Sequence, residues 1–416
     1  MTFTGKLFPP RGLSGLTNLI SNEIKAKTWF SNLDAIKSLS KLPKLRVPQS
    51  IWVPLVKIDE CTSIDQFEAA VQSIDFAAIP SMKSVGLRVS QSREVMKFSP
   101  VSELTNIVLH ALPEDLKENE FSVHINDKNE LSIQTNLIPP RPWILIPQKM
   151  EPQPEWWSVN DKQTTPTMKV SDLAIKEFRN ESSLACLSAA LVIASNLSAG
   201  LKRKHLGEET LIWDPFVGNG SVVLEVVSFL ADSPFLNRTV TIVGNVITKE
   251  SGQKVEQRLR KLCESIGTEI SAISEAEEKK PDAKSGGRKS RKSEQAEHEI
   301  SDERMRSFHM HLPNGTNLTV HLAHTSFEEV FPFISGALIL THIPKGYSEM
   351  LGIDKRTLSD WTAFGNLIKT NRKFEMFVFA ESLSFYKYTK LKFSKFIHLV
   401  SPNGSQVGNI SKWVGF

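Results

Sequence analysis

The sequence predicts two halves of different class, an α+β front half and an α/β back half built on a parallel sheet. Three observations carry that division. Across residues 1–138, amphipathic helical stretches alternate with short strand-like runs, the last two of which form a hairpin pattern. Between 138 and 162 lie Pro139, Pro140, Pro142, Pro147, Pro152, Pro154 and the pair Trp156-Trp157, a composition that forbids a helix and favours an extended connection. The stretch 211–225 then reads Leu-Ile-Trp-Asp-Pro-Phe-Val-Gly-Asn-Gly-Ser-Val-Val-Leu-Glu: an apolar run ending at Asp214-Pro215, a turn with Gly218 and Gly220, and apolar residues at helical spacing through Phe229. Glycines at a strand-to-helix turn let a ligand approach the backbone, and the N–H groups of the helix start offer it donors.

Length and composition bound the rest. A chain of 416 residues is long enough for two or three domains. Its net charge is only +4, from 50 Lys+Arg against 46 Asp+Glu, so any nucleic-acid surface must be local. Cys61, Cys186 and Cys263 are far apart, which argues against a zinc site and against a disulfide framework. No apolar run reaches the ~18 residues of a membrane span, and residues 1–12 lack the apolar core of a secretory signal. The expectation is an intracellular chain of cytoplasm or nucleus, with an organelle left open, no metal and no membrane.

In the front half, Leu13, Leu16, Leu19, Ile20 and Ile24 recur at helical spacing. Residues 51–58 turn strand-like. Ser63 caps a helix running to about Ile74, with Gln66 closing a capping box. Residues 85–89 form a short strand, and 102–112 a helix with Leu104, Ile107, Val108 and Leu112 on one face. Runs 121–125 and 130–134 alternate strictly around Asn126-Asp127-Lys128-Asn129, a hairpin.

In the back half, 181–196 is a helix with Leu184, Leu187, Leu191 and Ile193 apolar. After the glycine turn, 239–246 is a β-branched strand and 254–265 its helix, so strand and helix alternate as in a doubly wound parallel sheet. Residues 269–307 form a low-complexity insertion with nine Lys/Arg and nine Asp/Glu between Glu275 and Arg306, too polar to order itself. Its cluster Arg288-Lys289-Ser290-Arg291-Lys292 reads first as part of a solvated polyampholyte, since the charges cancel. Strands follow at 318–323, 336–340 and 374–380, a helix at 357–368, and an antiparallel pair, 393–400 with 406–412, around Asn403-Gly404.

The order Asp-Pro-Phe-x-Gly-x-Gly-Ser at 214–221 resembles the first motif of S-adenosyl-L-methionine (SAM) dependent methyltransferases, in the form used by RNA and DNA amino-methylases. Arg11-Gly12-Leu13 with Glu23, Ile74-Asp75-Phe76 and Val85-Gly86-Leu87-Arg88-Val89 resemble the front half of large-subunit ribosomal RNA methyltransferases acting on the exocyclic amine of guanine. The resemblance implies a ferredoxin-like segment over 1–55, a THUMP RNA-binding domain over 56–138, a linker over 139–165, and a Rossmann-like methyltransferase domain over 166–416. With the match around Arg88, Arg93 and Lys97 become candidate phosphate contacts, and the helix before the glycine turn is expected beside the cofactor. The closing Asn-Gly, strand and Trp413 resemble that family's last two strands.

The same resemblance implies the site. Asp214, Pro215, Gly218 and Gly220 match the first motif, and the cofactor's ribose is expected at the end of the second strand, at Asn245-Val246, where the family carries Asp. The adenine amine is expected at His324. The family's Asn/Asp-Pro-Pro-Tyr/Phe-Gly falls at His342-Ile343-Pro344-Lys345-Gly346, which puts His342 and Pro344 near the reacting base. Val246 accepts no hydrogen bond, and Lys345 adds positive charge beside a sulfonium. Three readings follow: a SAM-dependent methyltransferase of structured rRNA or tRNA; a chain that keeps the fold but has lost the chemistry, acting as an RNA-binding, ribosome-assembly or partner-supporting protein; and a nucleotide-binding α/β protein of another kind. In the second, weak SAM binding is expected, because hydrogen bonds to charged acceptors contribute about 1.5–3 kcal/mol each.

Overall fold

The computed structural model describes residues 6–8, 13–20, 45–48, 50–79, 81, 88–91, 101–117, 119, 121–125, 128–137, 141–144, 181–197, 200–201, 208–233, 237–246, 248–272, 305–331, 334–343, 355–370 and 374–415. Arg11, Gly12, Glu23, Arg93, Lys97, Pro344, most of the 139–165 linker and 273–304 lie outside the described residues. Contacts divide the chain into two units, Met1–Ala190 with Ser401–Asn403, and Leu191–Val400 with Gly404–Phe416.

The first unit carries β1 (Lys6–Phe8), β2 (Ser50–Ile58), α1 (Ile64–Gln72), β3 (Arg88–Gln91), α2 (Val101–Ala111), β4 (Phe121–Ile125) and β5 (Leu131–Asn136). Its sheet has the order β1-β2-β5-β4-β3, antiparallel except for the β3–β4 pair. Segments 1–55 and 56–138 therefore share one sheet. β4 and β5 form the expected hairpin, with Ile125 opposite Leu131 and Asn129 at φ 59° in its turn. Phe67 and Val71 of α1 and Leu104 and Val108 of α2 are buried in one cluster with Phe121, Val123, Leu131 and Ile133 of the hairpin. The amphipathic spacing of the two helices thus covers one face of the strands. Ser63 caps α1 by accepting from the Gln66 N–H at 3.3 Å. The Gln66 side chain reaches one residue further back than expected, to the Thr62 N–H at 2.8 Å, so the reciprocal box is not closed on Ser63.

A helix α3 covers 181–194, with Leu187, Ala190 and Leu191 buried. The second unit is a nine-stranded sheet built from β6 (Glu209–Asp214), α4 (Ser221–Ala231), β7 (Thr239–Asn245), α5 (Lys249–Ser265), β8 (Ile270–Ala272), β9 (Met305–His311), β10 (Asn317–Ala323), α6 (Phe327–Val330), β11 (Leu338–Ile343), α7 (Lys355–Thr370), β12 (Glu375–Ala380), α8 (Leu383–Thr389), β13 (Lys395–Val400) and β14 (Gln406–Val414). The order is β13-β14-β12-β11-β6-β7-β10-β9-β8. The middle five strands, β10, β7, β6, β11 and β12, are parallel, and antiparallel pairs close both edges. The parallel strands read as apolar runs because both faces are covered: β11 and β12 are buried at every position after the first. From β6 the chain builds outward to β7 and β10 on one side and to β11 and β12 on the other, which makes the carboxyl ends of β6 and β11 the topological switch point.

Three expectations change. The helix after β7 begins at Lys249, earlier than its apolar spacing suggested, because Thr248 and Ser251 form a capping box and the first turn is exposed. The ends of the 269–307 segment are strands, with β8 on one flank and residues 305–307 opening β9. Phe308 and Met310 of β9 face inward while His309 and His311 face out, a period-2 pattern that buries enough to pair with β10. α8 was not anticipated; Phe385 buries it against Trp361 and Phe364 of α7. Among the described residues no helix is long and apolar enough to cross a membrane.

Candidate functional site

β6 ends on Asp214, which is 1% exposed. Its Oδ1 accepts from the Thr341 hydroxyl of β11 at 2.7 Å and from the Phe216 N–H at 3.1 Å, while Oδ2 is buried with no hydrogen-bond partner. Burial pushes the carboxyl up from 3.8 to about 7, against the lowering effect of the Thr341 and Phe216 bonds. A carboxyl with one oxygen unsatisfied inside the protein is costly and points to a function.

The turn that follows is held from below. Gly218 (φ +56°) and Gly220 (φ +84°) occupy left-handed backbone, and Gly220 is the N-cap of α4. A Cβ on Gly220 would come within 2.9 Å of the Val255 side chain of α5, whereas one on Gly218 would meet nothing nearer than 3.8 Å. Gly218 is the exposed point of the turn, and Gly220 its packed foot. The Arg258 guanidinium of α5, itself buried, donates to the Asn219 carbonyl at 3.0 Å, and Asn219 Oδ1 accepts from the Ser221 N–H at 3.1 Å. Pro215 is buried beside Asp214. Phe216 packs its ring edge-on against Phe327 and Phe364, at 5.2 and 5.3 Å between centroids. Asp214, Pro215, Gly218 and Gly220 thus come together at one strand end.

At the next two strand ends the polar groups are committed inside the protein. Asn245 closes β7 and is 4% exposed; its Oδ1 accepts from Trp213 Nε1 at 2.8 Å and its Nδ2 donates to the Thr325 carbonyl at 3.1 Å. Val246 is 6% exposed, and its N–H donates to the Ala323 carbonyl of β10 at 2.9 Å. His324 follows β10, half-buried. Sequence reading missed Glu250, an exposed carboxylate in the first turn of α5; its own backbone N–H, the Thr248 hydroxyl and the charges of His324 and Lys249 hold it below the usual carboxylate range. Only the position of Glu250 in a first helical turn hinted at it.

On the other side of β6, His342 is the penultimate residue of β11. Its ring stacks on Phe379, its cross-strand partner on β12, at 4.7 Å and 12°. Its Nε2 lies 3.4 Å from Oε1 of Glu381, the residue after β12, and both side chains are less than a tenth exposed. The two atoms lie within ion-pair distance but outside hydrogen-bond geometry, and Nε2 has no hydrogen-bond partner. Glu381 was also missed, because nothing local in sequence ties it to His342. Among the described residues no three His, Cys, Asp or Glu side chains are grouped to hold a metal ion.

No family model matches the sequence, and no curated protein matches it. Solved structures that resemble it include SMU.472, a candidate methyltransferase complexed with SAH, at 10% identity and a TM-score of 0.49, with 100% of this chain and 99% of that one covered. A candidate N6-adenine-specific DNA methylase from Listeria monocytogenes matches at 12% identity and a TM-score of 0.48, covering 100% and 96% of the two chains. A candidate methylase from Clostridium difficile matches at 12% identity and a TM-score of 0.46, covering 100% and 98%.

Proposed function

We propose that this chain binds SAM at the glycine turn and transfers its methyl group to the exocyclic amine of a guanine in structured RNA. The observation that carries this is the turn itself. At the switch point of a parallel sheet it sets exposed Gly218 beside Asp214, whose Oδ2 is buried and without a partner. The cofactor's cationic amino-acid end fits there: an ammonium can donate to Oδ2, and a carboxylate can take the N–H groups of the α4 start. Bound, the cofactor supplies a methyl group on a sulfonium. His342 would lie beside the base, with Pro344 two residues further along the chain. The first unit, with its THUMP-like reading and its ferredoxin-like opening, is proposed to hold the RNA, Arg88 lying on its edge strand β3.

The ribose and adenine side fits less well. Neither Val246 nor His324 brings a carboxylate, and the Asn245 amide is already bonded at both ends. Those observations favour a second reading, in which the fold is retained, SAM binds at millimolar rather than micromolar strength, and the chain serves as an RNA-binding or assembly protein beside an active partner subunit. Calorimetric titration of the full chain with SAM separates the two: a micromolar dissociation constant supports the enzyme, and heats seen only at millimolar SAM support the lapsed form. Filter binding of ribosomal and transfer RNA over a salt series tests what both share, with affinity expected to fall steeply as salt rises. A chain that retains no structured RNA at low salt would remove the RNA reading altogether.

A further inference from the structure

The carboxyl ends of β11 and β12 hold an imidazole and a carboxylate face to face under near-complete burial. His342 Nε2 and Glu381 Oε1 are 3.4 Å apart, and Nε2 has no hydrogen-bond partner. If neither atom carried a proton, an imine lone pair would face a carboxylate charge with little water to screen it. A proton therefore belongs between them, and with Glu381 ionised it sits on His342 Nε2. The ring's second nitrogen, Nδ1, is then the acceptor. Two features fix this arrangement. The Glu381 N–H donates to the Ile343 carbonyl at 3.0 Å, which ties the residue after β12 to the end of β11. The Phe379 ring, stacked at 4.7 Å, holds the plane of the imidazole.

We propose that Glu381 is a positioning residue that holds His342 in its Nε2–H form, so that Nδ1 takes the proton from a nitrogen nucleophile as that nitrogen is methylated. The inference rests on the reading of this sheet edge as a methyl-transfer site. In the step, the nucleophile's nitrogen forms a bond to the methyl carbon and the carbon–sulfur bond breaks, its electron pair leaving the sulfonium as a neutral thioether. The N–H proton passes to His342 Nδ1, and the imidazolium so formed is balanced by the Glu381 carboxylate. A base with an anion behind it suits a nucleophile that must shed a proton.

The test uses the full chain with ¹⁵N-labelled histidine, the His342 ring signals being identified by their loss in His342→Gln. The wild-type spectrum is expected to show protonated Nε2 and bare Nδ1. Glu381→Leu and Glu381→Gln, which both remove the carboxylate charge, should scramble the two. In methyl transfer from labelled SAM to structured RNA, His342→Gln and Glu381→Leu should both lose at least about 100-fold in rate, with SAM affinity unchanged. Ring signals untouched by Glu381→Leu, or a proton on Nδ1 in the wild type, would overturn the positioning role. A wild-type chain that binds no SAM would instead overturn the methyl-transfer reading, with the ring signals still deciding what Glu381 does to His342.

Discussion

The two sides of β6 treat their polar groups in opposite ways. Toward β7 and β10, Asn245 is bonded through both ends of its amide and Val246 is sealed against Ala323. Toward β11 and β12, Asp214 Oδ2 and His342 Nε2 are buried without hydrogen bonds. Folded proteins rarely leave such atoms unsatisfied unless something else satisfies them in use. One side of the sheet edge is finished as protein at its strand ends, and the other leaves two buried atoms open to a hydrogen bond. The side that the sequence resemblance would give to a cofactor's ribose and adenine is the finished one, so under the proposed function the chemistry is expected at the glycine turn and at the ends of β11 and β12.

The largest test of the finished side is Trp213→Ala. Trp213 is fully buried, its ring lies 5.8 Å from Phe364 and 6.3 Å from both Phe327 and Phe374, and its Nε1–H holds Asn245. Deleting it should cost about 3–5 kcal/mol in urea unfolding. Trp213→Phe, which keeps most of the packing but strands the Asn245 oxygen, should cost about 1–3 kcal/mol. If the two variants lose equal stability, the hydrogen bond to Asn245 matters more than the aromatic packing.

On the open side, Asp214 makes stability depend on pH. Its carboxyl titrates near 3.8 when unfolded and about 7 when folded, so across that window the folded state holds a proton that the unfolded state has released. Unfolding free energy therefore falls as pH rises from about 4 to about 7, and the loss persists above that. Asp214→Asn removes the burden and should gain on the wild type by at most about 4 kcal/mol over the same range. Denaturant titrations at fixed ionic strength read the difference directly. Saturating SAM, by supplying a cation to Oδ2, should flatten the wild-type slope.

Gly220→Ala tests how the turn is held. A side chain at φ +84° is strained, and its Cβ would press on Val255 at 2.9 Å. The expected loss is about 2–3 kcal/mol. Val255→Ala in the same chain should return part of it, because the steric conflict is relieved while the backbone strain stays. Full recovery would mean that the left-handed conformation carries no cost here.

What the sequence revealed follows from how local each cause is. The strand, turn and helix around Asp214 were legible because apolar run, glycine pair and helical spacing lie within one window. β7, β11 and β12 showed as apolar runs because both their faces are covered. β9 was hidden: its inward pair, Phe308 and Met310, directly follows a charge-dense segment whose composition reads as unstructured. The extension of the first sheet to β1 was equally hidden, since Lys6 finds Trp52 only through folding. In the site, Asp214 and the glycines were readable, but the commitment of Asn245 depends on Trp213 from the neighbouring strand, and the pairing of His342 depends on Glu381. Such contacts between strand ends leave no trace in spacing.

The smallest expected effect bears most directly on the difference between the two sides. Val246 follows β7, with its N–H on the Ala323 carbonyl and its Cγ2 near Gly252, where an added Cβ would sit at 3.5 Å. Val246→Asp would place a carboxylate close to the first turn of α5, whose N–H groups favour negative charge. That offsets part of the burial penalty and leaves an expected stability loss of about 1–2 kcal/mol. If the β7 and β10 ends are the ribose side of a SAM site closed by the loss of its acceptor, the new carboxylate should tighten SAM binding about tenfold, equivalent to about 1.4 kcal/mol. Calorimetry on the wild type, Val246→Asp and the isosteric Val246→Asn distinguishes charge from shape. Tightening in the aspartate variant alone would mean that the side was shut by a single residue, whereas no change in either variant would mean that the cofactor, if bound, lies wholly on the open side with Asp214.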